Sequence, residues 1–305
     1  MASSSPLHGL VVAAHTPFEN DGSLRLSAIE KQAAHFVAKG VKTVFVCGTT
    51  GESSSLTLDE RRSVAATWFS VARGSGLRIV VHVGSNSLNE ASLLASHAQS
   101  NGAAAIAALS PSYFKPRSLD LLIDCCAQIA QAAPETPFYF YDIPALTGVN
   151  FSMSEFLSRA PQRIPSLAGL KFTNPDLKTY LHCLQLDGGR WDLPFGVDEH
   201  LLGALAVGAR GAVGSGFNFA APLYHRLIDA FHNGDWETAR REQHRGGQLV
   251  DLLSSYGYMA AAKSFMEILG IPVGPPRLPH NRLTPPDHQT LRQRLEALGG
   301  LEWVS

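Results

Sequence analysis

Charge is scarce in this chain. Asp, Glu, Lys and Arg make up 17% of 305 residues and nearly cancel, to a net charge of -1 at pH 7. A surface without a dominant sign offers no electrostatic footprint for a nucleic acid or an anionic membrane. Long apolar runs are missing too, and none approaches the roughly 18 residues of a membrane-crossing helix. There are four cysteines, Cys47, Cys125, Cys126 and Cys183, with neither metal-ligand spacing nor the pattern of a disulfide framework, which suits a reducing cytosol. The histidines are scattered, with no His-x-x-Glu-His or similar spacing, so no metal is expected. A Gly-x-Ser-x-Gly elbow is absent, which argues against a hydrolase. Met1-Ala2-Ser3-Ser4-Ser5 shows no basic region followed by an apolar stretch. No signal peptide is therefore expected, and the expected class is a soluble, cytoplasmic protein.

What the chain does contain is a repeated unit. Hydrophobic residues make up 45% of the sequence, enough for a large core, and 305 residues exceed the usual single domain unless the fold is an α/β barrel. Short apolar runs at 9–16, 41–47, 78–84, 104–109, 137–142, 167–172, 192–196 and 211–215 read as eight strands. Between them, Ser27–Glu30, Thr57–Glu60, Ser87–Glu90 and Ser152–Glu155 fit the capping box, and Gly40, Gly102 and Gly208 end helices before the next strand. Such units imply parallel strands with right-handed crossovers. An open doubly wound sheet that bound a dinucleotide would carry Gly-x-Gly-x-x-Gly after the first strand, whereas here that strand runs into His15-Thr16-Pro17-Phe18. The expected fold is an α/β (β/α)8 TIM barrel over residues 1–233, with a C-terminal helical extension over 234–305 packed on it. Helices are expected there at 235–256, 259–269 and 286–298.

Active sites of such barrels lie at the C-terminal strand ends. Lys171 closes the apolar run Leu167-Ala168-Gly169-Leu170-Lys171-Phe172. Five other lysines (Lys31, Lys39, Lys42, Lys115 and Lys178) stand in polar or loop-like contexts, and Lys263 is ambiguous. Two readings of Lys171 stand. Its head reaches solvent or an ion pair, or it is a desolvated amine of lowered pKa, able to attack a carbonyl. After the second strand, Gly48-Thr49-Thr50-Gly51-Glu52 allows a tight turn whose N–H groups and hydroxyls converge on a small carboxylate, or else an ordinary turn into the next helix. At the fifth strand's end, Tyr139 and Phe140 read as packing, and Tyr141 as a proton-transfer candidate. Asp198 and Glu199 after the seventh strand either accept bonds from sugar hydroxyls or serve the start of the next helix. Thr173, two residues past Lys171, either faces the same cavity or is structural, and Ser215 stands at the end of the eighth strand.

Together these residues resemble the pyruvate-dependent class I aldolases of the N-acetylneuraminate lyase and dihydrodipicolinate synthase family, over roughly residues 10–279. The stretches that carry the likeness are Gly48–Glu52, Tyr141–Val149, Gly169-Leu170-Lys171-Phe172, Phe195–Glu199, Gly211–Ser215 and Gly274–Pro279, and the animal-type lyase branch matches most closely. The resemblance implies reversible cleavage of N-acetylneuraminate to pyruvate and N-acetyl-D-mannosamine, with Lys171 forming the Schiff base and no cofactor. It implies that Thr49 and Thr50 hold the pyruvate carboxylate and that Tyr141 acts in proton transfer. Thr173, Gly196, Asp198, Glu199 and Ser215 would bind the sugar's polyhydroxyl chain, in a homotetramer. The synthases carry an arginine where Leu146 stands, so that activity is not expected. Asp142 and Phe217 depart from the commoner residues, and Tyr113 matches a tyrosine that some relatives send toward a neighbouring subunit. An aldolase for another 2-keto-3-deoxy sugar acid, or a non-catalytic keto-acid or sugar-binding protein, are the other readings. The intact Thr49, Thr50, Tyr141 and Lys171 set argues against the latter.

Overall fold

A computed structural model describes residues 5–305, so the N-terminal segment read for a targeting signal lies, but for Ser5, outside the described residues. Seven parallel strands alternate with helices: β1 (Gly9–Ala13), α1 (Ala28–Ala38), β2 (Thr43–Val46), α2 (Leu58–Ala72), β3 (Arg78–His82), α3 (Leu88–Ser100), β4 (Ala105–Leu109), α4 (Leu119–Gln131) and β5 (Phe138–Asp142). Two short helices, α5 (Pro144–Thr147) and α6 (Met153–Arg159), precede β6 (Leu167–Phe172), α7 (Leu177–Gln185), α8 (Leu201–Ala206) and β7 (Gly211–Gly214). The sheet order β6-β5-β4-β3-β2-β1-β7 leaves a gap between β6 and β7.

An eighth regular strand was expected at 192–196, and the structure corrects this. The segment fills the gap with isolated parallel bridges only, Gly169 to Asp192, Phe172 to Phe195 and Phe195 to Ala212. Its backbone still bonds both sides: Leu170 N–H donates to Asp192 O (3.1 Å), Gly196 N–H to Phe172 O (2.8 Å) and Phe195 N–H to Gly211 O (2.9 Å). Pro194 sits in the middle without an N–H, so the ladder cannot run unbroken. Gly169 is required at this seam, since a Cβ there would lie 1.7 Å from Asp192 O.

β6 has a bulge. Phe138 pairs with Leu167 and Tyr139 with Gly169, so Ala168 is the extra residue, and the pairing then runs on to Tyr141 with Lys171. One residue too many shifts side-chain parity along a strand. Leu167 and Leu170 thereby both pack in the layer between sheet and helices. Val11, Phe45, Val80, Ala107, Tyr139, Tyr141 and Val213 fill the barrel interior.

The helix ends follow local chemistry, with one correction. Thr57 and Glu60 form the full capping box, and Ser87 and Ser152 accept from the N–H three residues on. Ser27 does not cap: it is already helical, and the turn before it takes the donors, Ala28 N–H to Arg25 O and Ile29 N–H to Leu26 O. Gly40, Gly102 and Gly208 adopt the left-handed conformation expected of helix terminators. After β7 come α9 (Phe217–His232, kinked before Pro222), α10 (Trp236–Ser254), α11 (Tyr258–Ile268), α12 (Pro285–Leu298) and α13 (Gly300–Trp303). Among the described residues no helix is long and apolar enough to cross a membrane.

Candidate active site

Lys171 faces the barrel interior because the bulge puts it in register with Tyr141. Its side chain is buried, 4% exposed, with Nζ 4.0 Å from the ring centroids of both Phe45 and Tyr141. Burial pulls the ammonium below the usual lysine value, while Tyr141 and Asp198 oppose that shift. The amine is therefore more often free than a surface lysine would be.

The turn after β2 approaches from the side. Cys47 and Glu52, at its two ends, are both left-handed at φ 55°, and the backbone closes through Glu52 N–H to Thr49 O (2.9 Å) and Ser53 N–H to Gly48 O (3.1 Å). Thr16 Oγ1 donates to Gly51 O at 2.7 Å. Thr49 Oγ1 lies 3.2 Å from the Tyr141 hydroxyl, which ties the turn to the phenol. Glu52 runs inward, away from solvent, to Lys263 on α11 at 2.8 Å.

A cavity of about 390 Å³ opens here, and Lys171, Tyr141, Thr49, Thr50, Thr173, Gly196, Asp198, Glu199 and Ser215 all line it. The nine candidate catalytic and binding residues expected from the sequence thus meet in one place. Tight packing sets the wall formed by Thr173, Gly196 and Asp198. A Cβ on Gly196 would come within 2.0 Å of Thr173 Oγ1, and one on Gly214 within 2.1 Å of Asp198 Oδ1. The Thr173 hydroxyl is buried and finds no hydrogen-bond partner among the described residues. Asp198 does not cap α8; its carboxylate accepts from Gly216 N–H at 2.7 Å. Burial pushes that carboxyl up to about 7, against the Gly216 bond.

Sequence reasoning missed the far wall. Val250 and Ser254 from α10 and Tyr258 and Met259 from α11 also line the cavity, and the Tyr258 hydroxyl is 2.7 Å from Ser215 Oγ. Phe45 was missed as well, though the alternation of β2 would have placed it inside. Tyr139 belongs elsewhere: its hydroxyl donates to Asp192 Oδ2 (2.6 Å). Phe140 packs on Phe156 with ring centroids 4.9 Å apart. Both are packing residues, as expected.

The two departures point away from the cavity. Phe217 packs edge-on against Tyr224, with centroids 4.8 Å apart. Asp142 is buried, and its Oδ2 has no partner among the described residues. Burial pushes its carboxyl up to about 7 from 3.8, with Asn174 opposing. A carboxyl whose folded pKa exceeds its unfolded one binds more protons when folded, so its contribution to stability falls as pH rises through that window. Asp142→Asn is thus expected to stabilise the fold at pH 8, by on the order of 2 kcal/mol, and to change it little near pH 4. Thermal melts at both pH values check this, and an equal effect at the two would reject it.

The dihydrodipicolinate synthetase family model matches residues 6–298. The N-acetylneuraminate lyase of Gallus gallus is 40% identical over 92% of each chain. That of Homo sapiens is 38% identical over 98% of this chain and 94% of its own. Among solved structures, the N-acetylneuraminate lyase of Proteus mirabilis superposes with a TM-score of 0.93 at 38% identity, covering 96% of this chain and 99% of that one.

Proposed function

Because the chain belongs to the dihydrodipicolinate synthetase family, we propose that it is a carbon–carbon lyase, a class I aldolase that reversibly cleaves N-acetylneuraminate to pyruvate and N-acetyl-D-mannosamine. The observation that carries this reading is the buried Lys171 amine, 4.0 Å from the Tyr141 ring, in a cavity whose opposite wall is polar. A site that only bound a sugar acid would have no use for a desolvated amine.

Lys171 Nζ attacks the C2 ketone of the open-chain sugar acid, and loss of water gives the iminium. The iminium draws in the electron pair of the C3–C4 bond as it breaks. Tyr141, held by Thr49, takes the C4 hydroxyl proton, in part through the substrate carboxylate. The aldehyde leaves as N-acetyl-D-mannosamine. Protonation of the enamine at C3 and hydrolysis then release pyruvate and the free amine. Thr49 and Thr50 hold the keto-acid carboxylate, and Thr173, Gly196, Asp198, Glu199 and Ser215 receive the polyhydroxyl chain. Leu146, 65% exposed and apolar, supports the lyase over the synthase, because it cannot pair with a second carboxylate. Tyr113 and Phe114, 79% and 86% exposed and in edge-to-face contact, support assembly with further copies, in our reading a homotetramer. The free thiols Cys47, Cys125, Cys126 and Cys183 suit the cytoplasm.

The test is pyruvate release from N-acetylneuraminate set beside release from simpler 2-keto-3-deoxy acids. Faster turnover of the simpler acids would replace the sugar assignment. In the same assay Asp198→Ala is expected to raise KM for N-acetylneuraminate by about 10- to 100-fold, the worth of a hydrogen bond to a charged group. Borohydride trapping of pyruvate alone should stay near wild type. Equal loss of both would reject the sugar-side role.

A further inference from the structure

Lys263 and Glu52 form an ion pair in the interior, with side chains 1% and 0% exposed. The Lys263 ammonium spends its donors on Glu52 Oε1 (2.8 Å), Thr16 O (2.9 Å) and Pro275 O (3.3 Å), and it lies 4.3 Å from the Phe18 ring centroid. The other Glu52 oxygen accepts from Arg277 N–H at 2.8 Å. Replacing a buried ion pair by apolar residues of the same volume is often neutral or stabilising, so stability alone is a weak account of this one and its geometry is the place to look. That geometry is visible. Glu52 is left-handed at φ 55°, a conformation a non-glycine residue keeps only when its surroundings over-determine it. Its N–H donates to the carbonyl of Thr49, whose hydroxyl touches Tyr141. Thr16, held through its carbonyl by Lys263, fixes Gly51 through its hydroxyl. One ammonium on α11 therefore grips both supports of the turn that presents Thr49 and Thr50.

We infer that Lys263 and Glu52 are positioning residues for the keto-acid carboxylate: the pair, with Arg277 N–H, locks the 48–52 turn so that Thr49 and Thr50 meet the carboxylate while Thr49 stays on Tyr141. The last helices are then part of the pyruvate end of the site, although neither charge reaches the substrate. The inference rests on the aldolase reading, and it deepens that reading by naming what sets affinity for the acid group.

Three variants test it: Lys263→Met, Glu52→Gln and the double substitution. The single Lys263→Met leaves a carboxylate buried alone and is expected to melt lower. The double variant removes both charges and is expected to recover most of that loss. In the double variant the pyruvate concentration that half-saturates borohydride trapping at Lys171 should rise about 10-fold or more, the scale set by small misplacements of binding groups. Half-saturation by methyl pyruvate, a ketone without the negative charge, should be unchanged. KM for N-acetylneuraminate should rise, and kcat should fall by less than the roughly 10²-fold or more expected of Tyr141→Phe, because the phenol itself is kept. A double variant that folds and is trapped at the wild-type pyruvate concentration overturns the inference. So does equal weakening toward pyruvate and its methyl ester, because that is general loosening rather than loss of a carboxylate site. Failure of the wild-type protein to be trapped by pyruvate would instead remove the aldolase reading on which this one stands.

Discussion

Lys171→Ala is expected to abolish pyruvate release from N-acetylneuraminate, with turnover falling by on the order of 10⁴-fold or more, because the covalent route is lost rather than weakened. The fold should survive. The lysine is buried between Phe45 and Tyr141, and burial already pulls its proton affinity down, so removing the amine also removes a desolvation cost. What is lost is the packing of the side-chain stem, and a melt within several degrees of wild type is expected. Peptide mass mapping after borohydride reduction with pyruvate should find the adduct on the peptide containing Lys171 in the wild-type protein and on no peptide of the variant. An adduct on Lys263, the other buried lysine, would move the chemistry to the wrong end of the turn and reject the assignment.

Tyr141→Phe separates bond formation from proton transfer. The ring remains, so the 4.0 Å contact with Lys171 Nζ and the edge-on contact with Phe45 are retained, while the hydroxyl that meets Thr49 is gone. Turnover is expected to fall by about 10²–10⁴, the range for a lost acid–base group. Pyruvate should still be trapped at Lys171, though more slowly. The pair of measurements matters more than either. Near-normal turnover would remove Tyr141 from the proton path, and loss of trapping at all pyruvate concentrations would mean the phenol is needed to form the imine.

The polar end of each strand was readable from the chain because a parallel barrel confines function to one rim. Lys171, Tyr141 and the 48–52 turn can thus be grouped from the sequence alone. The far wall was not readable. Tyr258 is 43 residues from the Ser215 hydroxyl it meets, and nothing local in the pattern around α11 says which barrel end that helix covers. Lys263 stayed ambiguous for the same reason, since its partner Glu52 is 211 residues away. The missing eighth strand has a nearer cause: Pro194 was visible in the sequence, and its absent N–H is what interrupts the ladder. Ser27 failed as a cap because a hydroxyl three residues before a carboxylate does not reveal whether the backbone has already begun to coil.

Ala168 has a consequence larger than its size. The strand around it is apolar on both sides, so hydrophobicity alone does not tell its two faces apart. If the extra residue were ironed flat and the pleat ran evenly from Leu167, each later side chain would turn over: Leu170 and Phe172 would enter the lumen, and Lys171 would be driven among the helices. Such a molecule would still bury oily groups on both sides of the sheet and would be chemically mute. The aldolase chemistry proposed for this protein depends on a single half-turn of parity in the wall.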